Sequence, residues 1–223
     1  MPTPLEQTIA IILDPSSKLR EVNPLIYQIP STSVTEHETK IRYCDLVDGD
    51  LSKTMRNWIM TEYGDMQLQS LPLEENEDQS DIFAIIREPE QRWWQGVRES
   101  MTNLPWYSWW ENKQIMEQWP HFNRFTMAMH VTLDKVPVKH FIKGDADLST
   151  RFANFCRTHK LRQYGKLGMV QNLSTANIQR KKMQDTGVKQ LRDWLKTNKD
   201  KQQQLDEYLH KDYSYWEKVE TQN

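Results

Sequence analysis

The sequence predicts an α/β layered domain with a largely parallel central sheet and a C-terminal helical cover. Three observations predict it. Short apolar runs alternate with segments of helical periodicity from residue 8 to residue 159. The run at 82–86 (IFAII) is continuous and bounded by charges, the pattern of a central strand buried on both faces. From 175 onward the chain is polar and rich in Lys and Gln, with Leu191, Trp194, Leu195, Leu205, Tyr208, Leu209 and Trp216 as an apolar helical stripe.

Taken in order, 8–13 (TIAIIL), 24–29 (PLIYQI, closed by Pro30) and the alternating 40–47 (KIRYCDLV) are strand candidates. Residues 51–63 predict a helix that Ser52 would cap, with Met55, Trp58 and Ile59 on one face. An acidic run at 74–81 (EENEDQSD) reads as a solvated loop ahead of the 82–86 strand. Residues 90–102 place Trp93, Val97 and Met101 in one helical row, and the aromatic stretch 105–120 reads as a helix between two prolines. Two further strands are expected at 125–133 and 136–142, separated by Asp134 and Lys135. The helix at 147–159 then has Leu148, Phe152 and Phe155 on one side.

The whole chain, 223 residues, fits a single domain, and no tandem repeat divides it. A formal net charge of −2 argues against a dedicated nucleic-acid binder, which carries a clear basic excess. Apolar residues make up 37%, and the nine Trp, eight Tyr and six Phe among them bring a large core area per residue. Two cysteines, Cys44 and Cys156, make neither a disulfide framework nor a zinc motif, and read as reduced thiols. No apolar run approaches the roughly 18 residues of a membrane span. The N-terminus lacks the basic and apolar regions of a signal peptide, so the expected location is the cytoplasm or a virion.

The chemistry concentrates at 82–97 (IFAIIREPEQRWWQGV). A buried strand delivers Arg87 at its carboxyl end, where ligands bind in open α/β sheets, and Arg92 lies one turn into the helix that follows. Guanidinium groups at a strand end beside a helix N-terminus suit an anion; surface ion pairing is the alternative. His121 is the leading candidate for a general base, since an ordinary pKa near 6.5 suits proton transfer, with a histidine satisfied within an aromatic loop as the alternative that the residues favour. His130 and His140 fall in strand candidates and read as core or surface histidines. The tryptophans from Trp93 to Trp119 offer faces that stack on sugars or bases, or a core or protein-partner surface over 93–119. The basic run 179–182 (QRKK) reads as a solvated face with a secondary option of phosphate contact.

Arg87-x-Pro89-x-x-Arg92 after an apolar strand, with Gly96 following, resembles the 3′-phosphate-binding segment of sulfotransferases, whose sulfuryl donor is 3′-phosphoadenosine 5′-phosphosulfate. Gln95 stands where the family has Ser. The segment Trp119-Pro120-His121-Phe122 is similar to a His-containing stretch of the carbohydrate-directed branch, and 138–148 (VKHFIKGDADL) to that family's late strand and acidic turn. Val170-Gln171-Asn172-Leu173-Ser174 resembles a short segment near the donor, and Tyr208, Asp212, Tyr213 and Trp216 have the spacing of the terminal helix. The likeness covers roughly 80–220, leaving 1–80 as a divergent N-terminal part and 175–223 as C-terminal helices. It implies a P-loop-like three-layer fold and sulfuryl transfer to a hydroxyl acceptor such as a carbohydrate, with no metal. Arg87, Gln95, Arg92 and Arg180 would hold the donor, and His121 would act near the acceptor. For the phosphosulfate loop, two places correspond: Ser31, Thr32 and Ser33 within 26–35 (IYQIPSTSVT), where Ser31 replaces the family's Lys, and 47–58 (VDGDLSKTMRNW), where Lys53 would face the sulfate. A second reading keeps the fold and drops the catalysis: a structural or interaction protein, such as a component of a viral particle.

Overall fold

The computed structural model describes residues 25–29, 41–64, 81–100, 120, 125–163, 167 and 175–221. Among these residues, four strands form one sheet: β1 (Leu25–Ile29), β2 (Ile41–Asp45), β3 (Asp81–Ile86) and β4 (Val138–Lys143), in the order β1-β2-β3-β4. β1 runs antiparallel to β2, while β2, β3 and β4 are parallel. The chain is thus α/β with a mostly parallel sheet. β3 lies between two parallel neighbours, and Ile82, Phe83, Ala84, Ile85 and Ile86 are all buried, as the unbroken apolar run requires.

Helix α1 (Gly49–Tyr63) follows β2, and α4 (Leu148–Thr158) follows β4. The connection from β2 to the parallel β3 runs through α1, and α1 and α4 together cover one face of the sheet. Leu51, Met55, Trp58 and Ile59 of α1 and Leu148, Phe152 and Cys156 of α4 pack with Tyr27, Ile29, Tyr43, Phe83, Ile85 and Ile142. Each large side chain buried here contributes about 1.5–3 kcal/mol. Trp58 meets Phe152 edge-on at 4.8 Å, and Phe83 lies 4.7 Å from Phe155. α4 stops in a Schellman turn: Lys160 takes φ 52°, Leu161 N–H reaches the Cys156 carbonyl at 2.8 Å, and Lys160 N–H reaches Arg157 at 3.3 Å.

By packing, the chain divides into two compact units. The sheet unit holds β1 to β4, α1, the short helix α3 (His130–Leu133) and α4. The helical unit holds α2 (Pro89–Ser100), the turns at 125–129, α5 (Thr175–Thr197) and α6 (Lys199–Thr221) as far as Tyr215. Within the helical unit, α2 packs on α5. Arg98 pairs with Asp185 at 2.6 Å, Gln184 donates to the Arg98 carbonyl, and the Arg192 guanidinium lies over the Trp94 ring at 4.7 Å. Gly96 faces the Phe125 backbone so closely that an added Cβ would sit 2.0 Å from its carbonyl oxygen. No described helix is long and apolar enough to cross a membrane.

Two expectations are corrected. Residues 125–133 are not a strand: turns lead into α3. Their backbone donors go elsewhere, Ala128 N–H to the Tyr208 hydroxyl at 2.8 Å and Met129 N–H to the buried Asp212 carboxylate at 2.7 Å. His130 is accordingly helical. Ser52 does not cap α1. It lies inside the helix and donates to Asp45, while Asp48 occupies the cap position. The expected strand at 8–13, the helix over 105–120 apart from Pro120, and the segment 170–174 lie outside the described residues.

Candidate functional site

The carboxyl ends of β2, β3 and β4 lie side by side in the sheet unit. After β2, Asp45 turns the chain: its Oδ1 accepts the Val47 N–H at 2.8 Å and the Ser52 hydroxyl. That acceptor holds Val47 at φ 56°, a left-handed conformation that a β-branched residue rarely adopts. Asp48 follows at the start of α1. After β3, the Ile86 carbonyl accepts the Gly144 N–H from the end of β4 at 2.7 Å. An added Cβ on Gly144 would lie 2.9 Å from Leu51 Cδ1 and 3.2 Å from the Ile86 carbonyl oxygen, so the strand ends and α1 close on one another without room for a side chain.

Arg87 emerges from this edge. Its Nη1 lies 3.3 Å from Asp48 Oδ1, with side-chain exposures of 15% and 4% respectively. A guanidinium carries five N–H donors in a planar fork, and the Asp48 contact engages one nitrogen of that fork. The edge is otherwise of mixed sign. Lys143 Nζ stands 4.5 Å over the Trp216 ring, and Asp145 pairs with Arg151 at 2.8 Å. Burial would raise the Asp145 carboxyl. The hydrogen bonds from Arg151 and the Asp147 N–H, with the charges of Arg151 and Lys143, outweigh that and hold it below its ordinary value.

The other residues singled out from the sequence fall in several places. Lys53 is exposed on α1 and lies 3.9 Å from Asp50. Arg92 and Gln95 belong to the helical unit, Arg87 to the sheet unit. Arg92 is buried and donates to the Met127 carbonyl. The Gln95 amide is engaged along α2, donating to Glu99 and accepting from Arg98. Trp93 and Trp94 are buried against each other at 4.9 Å, with their indole N–H groups on the Pro120 carbonyl and Glu90. The two therefore serve as core of the helical unit. Ser31, Thr32, Ser33, His121 and the side chain of Arg180 lie outside the described residues, as do Trp106, Trp109, Trp110 and Trp119.

Asp48 is the functional neighbour that sequence reasoning missed. It meets Arg87 only because β2 and β3 pair in parallel, and no local spacing reports that pairing. No family model, curated protein or solved structure matches the chain.

Proposed function

We propose that the chain is a sulfotransferase-like protein with a P-loop-like three-layer fold and a C-terminal helical cover. Arg87 takes the 3′-phosphate of 3′-phosphoadenosine 5′-phosphosulfate. In the reaction the acceptor hydroxyl, such as that of a carbohydrate, loses its proton to His121 as its oxygen bonds to sulfur. The bond from sulfur to the 5′-phosphate oxygen breaks, leaving 3′-phosphoadenosine 5′-phosphate. The carrying observation is the position of Arg87: a partly exposed guanidinium at the carboxyl end of an interior parallel strand. Two further contacts support the resemblance. Gly96 occupies the small-residue position of the motif and has no room for a side chain. Tyr208 and Asp212, the matching pair of the terminal helix, both hold the turn before α3.

A second reading, a non-catalytic structural or interaction protein on the same fold, is favoured by the turn after β2. Asp45 ends β2, Asp48 precedes α1 and Asp50 lies in its first turn, and Asp48 already faces Arg87. Sulfuryl transfer, like phosphoryl transfer, depends on positioning and on stabilising developing charge, and carboxylates at the anion work against both.

Thermal unfolding with 3′-phosphoadenosine 5′-phosphate separates the two. At 100 times Kd a ligand adds about 2.7 kcal/mol. For a chain of this size that is a rise of roughly 5–10 °C. The enzyme reading expects this rise, retained in part by Arg87→Lys and lost in Arg87→Ala, followed by turnover in an acceptor screen. No rise at millimolar nucleotide would leave the non-catalytic reading.

A further inference from the structure

We propose that Asp81, His140 and His159 form a binding site for a divalent transition metal of the zinc class, held by two imidazoles and one carboxylate. The three come from separate elements of the sheet unit. Asp81 opens β3, His140 lies in β4 opposite Phe83, and His159 follows the last turn of α4. The site is at the amino end of β3. Arg87 lies six residues along the strand direction, about 20 Å away at 3.3 Å per residue. The inference therefore stands apart from the sulfotransferase reading.

The geometry suits a metal better than it suits a hydrogen-bonded triad. One ligand atom from each residue lies within 4.8 Å of the other two. His140 Nε2 is 3.7 Å from Asp81 Oδ2, beyond hydrogen-bond length, and the two imidazole rings are 4.8 Å apart. Nε2 of His140 is buried and makes no hydrogen bond among the described residues. A buried ring nitrogen left so is costly, and a metal ion satisfies it. Zinc bonds of about 2.0–2.2 Å in a tetrahedron set donor atoms roughly 3.3 Å apart, so small side-chain rotations close the set.

The fold arranges this convergence in two ways. The pairing of β3 with β4 shifts register between Ile82 and Phe83, leaving Lys139 as an extra residue between Val138 and His140. Consecutive strand residues normally face opposite ways. At this bulge both Lys139 and His140 reach Asp81, the ammonium to Oδ1 at 3.3 Å and the imidazole to Oδ2 at 3.7 Å. The Schellman turn at Lys160 fixes the backbone just beyond His159. Phe155 walls the site, 4.3 Å from the His159 ring and 5.7 Å from His140. The side chains of Asp81 and His140 are partly exposed, which gives the ion an entry path and a coordination position for water. The Lys139 side chain is exposed, so an ion that takes the Asp81 carboxylate has only a surface ion pair to displace.

The test uses the full chain without an affinity tag. Thermal unfolding and calorimetric titration with Zn²⁺, and visible absorption with Co²⁺, are compared for wild type, His140→Ala, His159→Gln and Asp81→Asn, with circular dichroism to verify folding. The expected result is one ion per chain and a rise of about 5–10 °C at 100 times Kd. Tetrahedral cobalt bands should appear, and affinity should fall more than about 100-fold in each folded histidine variant. Absence of Zn²⁺ and Co²⁺ binding to wild type would overturn the site. So would binding of unchanged affinity in either folded histidine variant, which would assign the ion to other residues.

Discussion

The partly exposed Arg87 meets the buried Asp48 across 3.3 Å, so any anion that takes Arg87 competes with a carboxylate. Replacing Asp48 by Asn keeps the shape and removes the competing charge. Asp48→Asn is expected to tighten 3′-phosphoadenosine 5′-phosphate binding about five- to tenfold, roughly 1–1.4 kcal/mol, in a calorimetric titration. Weaker binding instead would show that Asp48 orients the guanidinium for its ligand. The buried thiols behave differently. Burial first and the Asp45 charge second push Cys44 up to about 12 from 9.0, and burial with Glu62 does the same for Cys156. Thiolates are the reactive form, so neither cysteine should react with a disulfide reagent at pH 8 until the protein unfolds. The sign follows from the raised values: the fold favours the neutral thiols, and their contribution is complete below pH 9.0 and is lost as the pH rises toward about 12. Of the candidate site, Arg87 was legible because a charge ending an apolar run must emerge at a strand end. Asp48 was not, nor the meeting of Asp81 with His140 and His159, because parallel register and a bulge are set by pairing between distant segments.

Among the elements, those whose burial is local were readable: the strands near 24–29, 40–47, 82–86 and 136–142, and the helices after β2, β3 and β4. Their apolar rows repeat at strand or helix spacing inside a dozen residues. The segment 125–133 misled because its apolar residues are buried while its hydrogen-bond partners arrive from α6, 80 and 83 positions away. That arrangement makes α6 responsible for the turn. Asp212→Ala strands the Met129 N–H and should cost about 1–3 kcal/mol. In a thermal scan this corresponds to a fall of roughly 3–10 °C. Tyr208→Phe, which removes one neutral acceptor, should cost about 1 kcal/mol. Equal stability of both variants with wild type would mean the turn holds itself. The opposite sign is expected at the end of α4, where Lys160 sits at φ 52° in a position that favours glycine. Lys160→Gly relieves a left-handed penalty of about 1 kcal/mol and should raise Tm by roughly 2–4 °C.

At the scale of the whole molecule, the two units alternate along the chain. Among the described residues the division falls at Glu88/Pro89, Met129/His130 and Tyr215/Trp216. The loops this creates do not by themselves couple the units, because closure entropy grows only by about 0.6 kcal/mol for each doubling of loop length. Helix α6 is the element with residues in both units. Its hydrogen-bond ladder runs without a break from Lys199 to Thr221, with Leu205, Leu209 and Asp212 buried in the helical unit and Trp216 and Val219 belonging to the sheet unit. Melting either unit alone would break that helix midway and leave unmade carbonyl and N–H groups at both new ends. The expected behaviour is a single cooperative transition. The thiols and Asp212 provide the measurement, since Cys44 and Cys156 lie in the sheet unit and Asp212 in the helical unit. Asp212→Ala should lower the urea midpoint for thiol exposure by the same amount as the midpoint for loss of helical circular dichroism. Thiols that stay protected to the wild-type midpoint while ellipticity falls in two steps would show that the sheet unit stands without its neighbour.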